Sequence, residues 1–328
     1  MNIVLLESLG IPEAELKKYA QELEKEGHTF RAYEKNTDPA VQIERAKDAD
    51  VIMLANMPLS GEVIRSCPSL RFIDVAFTGV DHVDLEAAKE KKIAVSNASG
   101  YSNESVAELV LGMAIDLFRK VPQVEKRCRE EGTKDGLVGR ELKGHTVGII
   151  GYGAIGSRVA ELFHAMGCRI LAFSRHKKEN VPDYVTYVTL EELLGQSDIV
   201  SLHCPLTPQT RYLINRKTIQ GMKNGAYLVN TSRGGLIDTQ ALIEALAAGK
   251  FGGVGLDVYE EEEGLFYEDC SADIIQDENL ARLVTFPNVL VTSHMGFFTV
   301  EAMQAIAYET LENARALELG LPLENLVE

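Results

Sequence analysis

Cysteine is scarce in this sequence and is not clustered. Five cysteines are spread over 328 residues, the number is odd, and no Cys-x-x-Cys pair occurs. A disulfide framework or a zinc site needs cysteines and histidines at short, regular spacings, so the pattern argues against both. We therefore expect reduced thiols, no bound metal and a cytoplasmic protein. The five residues are Cys67, Cys128, Cys168, Cys204 and Cys270.

Long apolar runs are missing as well. The longest uncharged stretch, residues 283–300, contains Pro287, Asn288 and several hydroxyl side chains, which favours a buried strand and loop over a membrane span. The apolar start of the chain is interrupted at Glu7 and has no basic residues before it. We therefore expect no secretory signal and no membrane partner.

Basic residues are in the minority. Lys and Arg number 33 against 49 Asp and Glu, which gives a net charge of −16. Such a surface repels nucleic acid and anionic lipid over most of its area, so we expect neither as a partner. An anionic small substrate would need a locally positive pocket.

Short apolar runs alternate with helical patterns from the first residues, and the alternation restarts near Thr146. This order is typical of parallel sheets with helices on both faces. We therefore predict an α/β protein of two doubly wound domains, one spanning residues 1–100 plus 299–328 and the other residues 101–298. The predicted strands are 3–6, 29–33, 51–54, 72–75 and 93–96 in the first domain, and 146–150, 170–173, 199–202, 227–230, 254–256 and 289–292 in the second.

Residues 151–156 read GYGAIG, a Gly-x-Gly-x-x-Gly pattern between a predicted strand and a predicted helix. In such a loop Gly151 allows the tight turn, Gly153 lets backbone approach a pyrophosphate, and Gly156 lets helix and strand pack closely. The helix N-terminus then presents free N–H groups to the phosphates. The context predicts dinucleotide binding, with an ordinary strand–helix turn as the alternative.

The predicted strand 170–173 after this helix is followed by Ser174, where an NAD-binding domain usually carries Asp or Glu for the ribose 2′-hydroxyl. Ser174 can hydrogen-bond a 2′-phosphate, and Arg175 can pair with it bidentately. We therefore favour NADP(H) as the cofactor. The alternative is a solvated basic turn in an enzyme that uses NAD(H).

Three polar residues follow three predicted strands of the second domain: Arg233, Glu262 and His294. Open α/β sheets place their ligand crevice at the carboxyl ends of such strands, which makes all three candidate site residues. Each also has a plain structural interpretation: a surface arginine, a solvated glutamate run and a satisfied core histidine.

Several motifs, in order and over nearly the whole chain, resemble the D-isomer-specific 2-hydroxyacid dehydrogenases. The resemblance implies a Rossmann cofactor domain, a flavodoxin-like substrate domain and an active site in a cleft between them. It also implies a homodimer formed through the cofactor domains, with helix 104–118 as a contributor. The motifs are TGVDHVDLEAA (78–88), YSNESVAELVLGM (101–113), GYGAIG (151–156), HCPLTPQT (203–210), NTSRGGLID (230–238), GLDVYEEE (255–262) and SHMGF (293–297).

The resemblance implies that Arg233, Glu262 and His294 catalyse hydride transfer between a nicotinamide cofactor and a 2-oxo or 2-hydroxy acid. The chemistry agrees. His294 can serve as general acid and base, Glu262 can orient its ring, and Arg233 offers a fork of donors for the substrate carboxylate. Within the glutamate run, the family's acid lies five residues after Asp257, which selects Glu262.

The same resemblance assigns further contacts. The backbone amides of Gly79 and Val80 are expected to clamp the substrate carboxylate, and Asp257 is expected near the nicotinamide. The remaining expected cofactor contacts are Gly151, Gly153, Ala154, Ile155, Gly156, Ser174, Arg175, Cys204, Pro205, Thr210, Thr231 and Ser232.

The sequence indicates the substrate less clearly than it indicates the reaction. His294 follows Glu262 by 32 positions, and this long spacing resembles the D-lactate dehydrogenase branch, as does the segment 264–283 within it. Tyr101 and Phe297 are expected to form an apolar wall for a methyl or larger apolar side chain, or else are core aromatics.

Ser174 and Leu109 depart from the D-lactate pattern, and three alternatives to a D-lactate dehydrogenase stay open. The first is a broader reductase of branched or aromatic 2-oxo acids. The second is a glyoxylate or hydroxypyruvate reductase, which the Ser174–Arg175 pair favours and the long spacer opposes. The third, from another class, is a dinucleotide-sensing corepressor that binds a transcription-factor peptide.

Overall fold

A computed structural model divides the chain into two units, each with its own sheet. Unit 1 comprises Met1–Ser102 and Phe298–Glu328, and unit 2 comprises Asn103–Phe297. The boundaries predicted after residues 100 and 298 lie within two residues of these. The structure describes residues 1–130, 132–178, 180–262, 265–266, 275–321, 323 and 325–327. Cys270 and much of the segment 264–283 therefore lie outside the described residues.

The described part of unit 1 contains five strands and five helices. They are β1 (Asn2–Leu5), α1 (Glu13–Lys25), β2 (Thr29–Ala32), α2 (Pro39–Ala46), β3 (Val51–Leu54), α3 (Gly61–Ser66), β4 (Phe72–Val75), α4 (Leu85–Glu90), β5 (Ala94–Asn97) and, after unit 2, α12 (Val300–Leu319). The strands form one sheet in the order β2-β1-β3-β4-β5, and all neighbours are parallel. Every residue of β3 and β4 is buried, as expected for central strands covered on both faces.

Short polar side chains set where several helices of unit 1 begin. Asp38, Ser60 and Asp84 each accept a hydrogen bond from a backbone N–H in the first turn of the helix that follows. Thr299 does the same for α12, which ends at Gly320 in the left-handed region with φ 64°. These caps satisfy donors that a helix terminus otherwise leaves unpaired.

Unit 2 is built on a seven-stranded parallel sheet in the order β12-β11-β10-β9-β6-β7-β8. Its strands are β6 (Thr146–Ile150), β7 (Arg169–Phe173), β8 (Val185–Tyr187), β9 (Ile199–Leu202), β10 (Ala226–Asn230), β11 (Phe251–Leu256) and β12 (Val289–Val291). Its helices are α5 (Asn103–Arg119), α6 (Val121–Glu130), α7 (Ala154–Ala165), α8 (Leu190–Gln196), α9 (Arg216–Gly221), α10 (Thr239–Ala247), α11 (Glu278–Leu283) and a short 3-10 helix (Gly234–Leu236).

The strand order of unit 2 reverses at β6, which pairs with β7 on one side and β9 on the other. In open α/β sheets ligands bind outside the carboxyl ends of the strands at such a reversal. The loops that meet there are the glycine loop after β6 and the loop that begins at His203 after β9. The topology therefore places the two loops together at a ligand-binding edge.

Two elements of unit 2 were not predicted from the sequence, the short strand β8 and the helix α6. No residue of α6 is buried. Across the described residues, no helix is both long enough and apolar enough to cross a bilayer.

Candidate active site

The glycine loop joins β6 to α7 by close backbone packing. Gly151 has φ 96°, and a β-carbon there would lie 2.5 Å from the carbonyl carbon of His203. A β-carbon on Gly156 would lie 2.1 Å from the carbonyl oxygen of Gly151. Both positions therefore require glycine.

Gly153 differs from these two glycines. Apart from Gly153 itself and adjoining backbone, no atom of the described residues lies within 4 Å of the position its β-carbon would take, so the backbone is open to a ligand at the N-terminus of α7. Ala154 and Ile155 form the first turn of that helix. The amides of this turn and the open approach at Gly153 fit a dinucleotide pyrophosphate.

The residues after β7 form a basic surface. Ser174 is half-buried and Arg175 is exposed, with the Arg175 Nε atom 3.1 Å from His176 Nε2. Lys178 bends back to the glycine loop, where its Nζ atom donates to the carbonyl oxygen of Gly153 at 3.4 Å and lies 5.4 Å from the Tyr152 ring centroid. Lys178 was not among the predicted site residues, although its place in the basic run was a signal for it.

The loop after β9 carries three of the predicted cofactor contacts. Thr210 Oγ1 donates to the Pro205 carbonyl oxygen at 2.7 Å, which closes the turn. Burial raises the pKa of the Cys204 thiol to about 11 and lowers the pKa of His203 to about 3. Both side chains are therefore neutral at physiological pH. The His203 Nε2 atom lies 2.8 Å from the Ser201 hydroxyl.

Arg233 is presented by a turn that Asn230 holds. The buried Asn230 side chain donates to the Arg233 carbonyl oxygen at 2.9 Å and accepts from the Ser232 amide at 3.1 Å. Ser232 Oγ in turn donates to the Cys204 carbonyl oxygen at 2.7 Å, which connects this turn to the loop after β9. The neighbouring Thr231 is buried.

The next residue, Gly234, allows the loop after β11 to pack against this turn. A β-carbon on Gly234 would lie 2.0 Å from the carbonyl carbon of Tyr259. Only glycine permits this approach between the loop after β10 and the loop after β11. The contact places Arg233 and the glutamate run on adjacent loops of one sheet edge.

Glu262 and His294 are in direct contact. Glu262 Oε1 lies 2.8 Å from His294 Nδ1, and the two side chains are 16% and 11% exposed. Glu262 Oε2 accepts from the Tyr259 amide at 2.9 Å. Because an ionised carboxylate can only accept, the Nδ1 atom donates and Nε2 becomes the ring atom for proton exchange.

The neighbouring Glu260 faces different partners. Its carboxylate accepts from Thr239 Oγ1 at 3.0 Å and lies 3.3 Å from Arg211 Nη2, and Tyr212 is bonded to it as well. Glu260 and Glu262, two positions apart in the run, thus contact different residues. The spacing argument from Asp257 selects the glutamate that contacts His294.

Asp257 is 1% exposed and holds the backbone around His294. Its Oδ1 atom accepts from the Met295 amide at 2.8 Å and from Thr292 Oγ1 at 2.6 Å, and its Oδ2 atom accepts from the Gly296 amide at 2.9 Å. The Asp257 carboxylate thus fixes the histidine loop. Its expected place near the nicotinamide, which the resemblance implies, stays a prediction.

The predicted substrate contacts fall in both units. Phe297, in unit 2, lies edge-on to His294 with ring centroids 6.4 Å apart. Gly79 and Val80, in unit 1, occupy the loop after β4, and both are half-buried, as is Tyr101. No group of acidic, cysteine or histidine side chains among the described residues could hold a metal ion.

Comparisons with known proteins find relatives that match most of the chain. A family model described as D-isomer specific 2-hydroxyacid dehydrogenase, NAD binding domain, matches residues 111–296. The chain is 41% identical over 310 residues to a D-lactate dehydrogenase of Curvularia clavata, covering 90% of this chain and 89% of that protein. It is 37% identical over 311 residues to an aromatic 2-oxoacid reductase of Clostridium sporogenes, covering 93% of each. A solved structure of the pyruvate reductase of Chlamydomonas reinhardtii matches with a TM-score of 0.86 at 35% identity, covering 99% of this chain and 98% of that one.

Proposed function

This chain belongs to the D-isomer-specific 2-hydroxyacid dehydrogenases, which transfer a hydride between a nicotinamide cofactor and a 2-hydroxy or 2-oxo acid, and we propose that Arg233, Glu262 and His294 carry this reaction. The observation that supports the assignment best is the contact between Glu262 Oε1 and His294 Nδ1 at 2.8 Å. It gives the histidine ring a fixed orientation and a defined proton-exchange atom. Arg233 lies on the adjacent loop with a planar fork of donors.

In the reducing direction, a nicotinamide cofactor held by the glycine loop would supply a hydride to the carbonyl carbon of the 2-oxo acid. His294 Nε2 gives a proton to the carbonyl oxygen as the alcohol forms, and the ring then recovers a proton from solvent. Glu262 stabilises the imidazolium that exists before this transfer. Arg233 binds the substrate carboxylate, and its charge supports the negative charge that develops on the oxygen. In the oxidising direction His294 accepts the proton of the hydroxyl group.

We propose that the substrate has an apolar side chain, from a methyl group to a branched or aromatic one. The edge-on arrangement of Phe297 with His294 supports an apolar surface beside the reacting atoms. Tyr101 would complete this surface, and Gly79 and Val80 would clamp the carboxylate with their amides. The names of the relatives, which include a D-lactate dehydrogenase and an aromatic 2-oxoacid reductase, support the same range.

We propose NADP(H) as the preferred cofactor. Ser174 carries no charge that would repel a 2′-phosphate, and the exposed Arg175 can pair with it. Lys178 adds a second cation next to Gly153.

We also propose a homodimer, as the resemblance implies; a sedimentation mass equal to one chain would contradict it.

An absorbance assay of coenzyme oxidation tests these proposals. NADH and NADPH are crossed with pyruvate, 2-oxoisocaproate, phenylpyruvate, glyoxylate and hydroxypyruvate, using wild type and Arg233→Lys. We expect turnover that favours NADPH and an apolar 2-oxo acid, and a lower kcat/KM in the variant, because an ammonium cannot supply the fork. A preference for glyoxylate or hydroxypyruvate would overturn the substrate assignment. A preference for NADH would overturn the cofactor assignment. An unchanged kcat/KM in Arg233→Lys would overturn the role of Arg233.

A further inference from the structure

Glu7 is a buried acidic residue of unit 1 that the reaction above does not use. It lies two residues beyond β1 and is 3% exposed. Its Oε1 atom accepts hydrogen bonds from the Ala55 amide at 2.8 Å and the Met57 amide at 2.7 Å, and the Asn56 amide faces the same carboxylate. Burial raises the pKa of Glu7, while these amides and the charge of Lys35 oppose that shift.

Three successive amides that converge on one carboxylate form a small anion-binding concavity of the backbone. Here the turn of residues 55–57, which follows β3, binds the chain's own side chain. Without that carboxylate, these N–H groups would lose their acceptor, which is unfavourable for a donor that is partly or fully buried. The conformation of the turn therefore depends on Glu7.

The turn runs alongside the loop that carries Gly79 and Val80. The two loops are joined at one end, where the Ala76 amide donates to the Leu54 carbonyl oxygen at 2.7 Å. They are joined again at the other end, where the Leu59 amide donates to the His82 carbonyl oxygen at 2.9 Å. Residues 55–58 and 77–81 are therefore neighbouring segments of the same sheet edge.

We propose that Glu7 is a positioning residue that fixes the turn of residues 55–57 beside Gly79 and Val80 and thereby sets which 2-oxo acids are accepted. This inference rests on the proposed function, because it takes Gly79 and Val80 as the carboxylate clamp. Ala55 and Asn56 are partly exposed at this edge, so a shift of the turn alters the surface next to the clamp. The cofactor loops of unit 2 are separate in sequence from all of these residues.

Glu7→Ala and Glu7→Gln test the proposal. Glutamine keeps an oxygen in place of Oε1, the atom that accepts from the Ala55 and Met57 amides, so Glu7→Gln retains near-normal kinetics. Glu7→Ala raises the KM for pyruvate and for phenylpyruvate by unequal factors, on the order of 10-fold or more, since a small misplacement of binding groups has large kinetic effects. Its KM for the coenzyme stays unchanged. Added acetate, which fits the space of the deleted carboxylate, partly restores the KM values of Glu7→Ala.

The matched control is Asp50→Ala. Asp50 is also a carboxylate of unit 1 that accepts from a backbone amide, that of Asn2 at 2.7 Å, but it precedes β3 at the opposite edge of the sheet. Asp50→Ala should lower stability without changing the ratio of the two KM values. If Glu7→Ala does not fold, Glu7→Asp serves instead: it keeps the charge but is one methylene too short, so it too raises the KM values.

Two results would overturn the proposal: a folded Glu7→Ala with wild-type KM values, or equal changes for the 2-oxo acids and the coenzyme. Failure of the proposed function is a separate result. In that case the wild-type enzyme itself reduces none of the 2-oxo acids.

Discussion

Asp257 holds His294 in a backbone conformation that histidine rarely adopts. The His294 amide donates to the Asp257 carbonyl oxygen at 2.7 Å, and His294 has φ 51°. Left-handed backbone at a residue other than glycine costs about 1–2 kcal/mol. The Asp257 carboxylate offsets this cost by accepting from the next two amides, those of Met295 and Gly296. The orientation of the proposed general acid is therefore decided by its backbone as well as by Glu262.

Asp257→Asn should impair catalysis through this backbone. An amide group cannot accept at both of its atoms, so one of the donors now shared between Oδ1 and Oδ2 is left facing an NH₂ group. We expect a loss of about 1–3 kcal/mol in stability and a fall in kcat on the order of 10-fold or more, measured by denaturation and steady-state kinetics. Thr292→Val removes only one donor and is the milder control. Wild-type kcat in Asp257→Asn would show that the carboxylate does not position His294.

Substitutions of Glu262 and Glu260 should affect different properties of the enzyme, kcat in the first case and thermal stability in the second. Glu262→Gln removes the charge that stabilises the His294 imidazolium, so kcat should fall on the order of 100-fold. Glu260→Gln alters contacts with Thr239 and Arg211, so it should lower thermal stability with little effect on kcat. Steady-state kinetics and melting curves of both variants test this. Equal losses of kcat would show that the run acts as a whole.

Ser174→Asp should change the choice of coenzyme. A carboxylate at this position repels a 2′-phosphate and can accept from a ribose 2′-hydroxyl. We expect kcat/KM with NADPH to fall by about 10- to 100-fold, because the carboxylate and the 2′-phosphate repel each other, while kcat/KM with NADH is kept or raised. Ser69→Asp places the same charge on an exposed position of unit 1 and should leave the ratio unchanged. If both coenzymes respond equally to Ser174→Asp, residue 174 does not face the 2′-position.

Asp74 should make unit 1 less stable as the pH rises. It is fully buried in β4 and accepts from Asn313 Nδ2 at 3.1 Å, while its Oδ2 atom has no hydrogen-bond partner among the described residues. Burial raises the pKa of Asp74 well above its usual value, and the charge of Glu309 adds to the rise. The folded state therefore keeps the proton that the unfolded chain releases above about pH 4.

The raised pKa of Asp74 makes the folded state less stable as the pH rises. Between about pH 4 and the raised pKa of the folded state, unfolding releases a proton, so stability falls by about 1.4 kcal/mol per pH unit from this group. Asp74→Asn removes the titration, so its stability relative to wild type should increase as the pH rises through that window. Urea unfolding of both proteins at a series of pH values measures the difference. Parallel curves would show that Asp74 does not keep its proton in the folded state.

The sequence by itself determined the class of fold and the candidate chemistry. The alternation of apolar and helical patterns, the glycine loop and the caps are local signals, because they reflect backbone conformation and hydrogen bonding within a few residues. The ordered motifs, through the family they resemble, selected Arg233, Glu262 and His294 as the candidate catalytic residues. The same signals missed β8, which is short, and α6, none of whose residues is buried.

Only the tertiary structure decided which side chains meet. The sequence could select Glu262 by its spacing from Asp257, but not that Glu260 bonds to Thr239 or that Lys178 reaches Gly153, because each pair is contributed by different elements. The partners of Asp257 and Glu7 likewise come from other strands and loops. Hydrogen bonds between residues far apart in the chain depend on how the sheet orders its strands, and that order is a property of the packed structure.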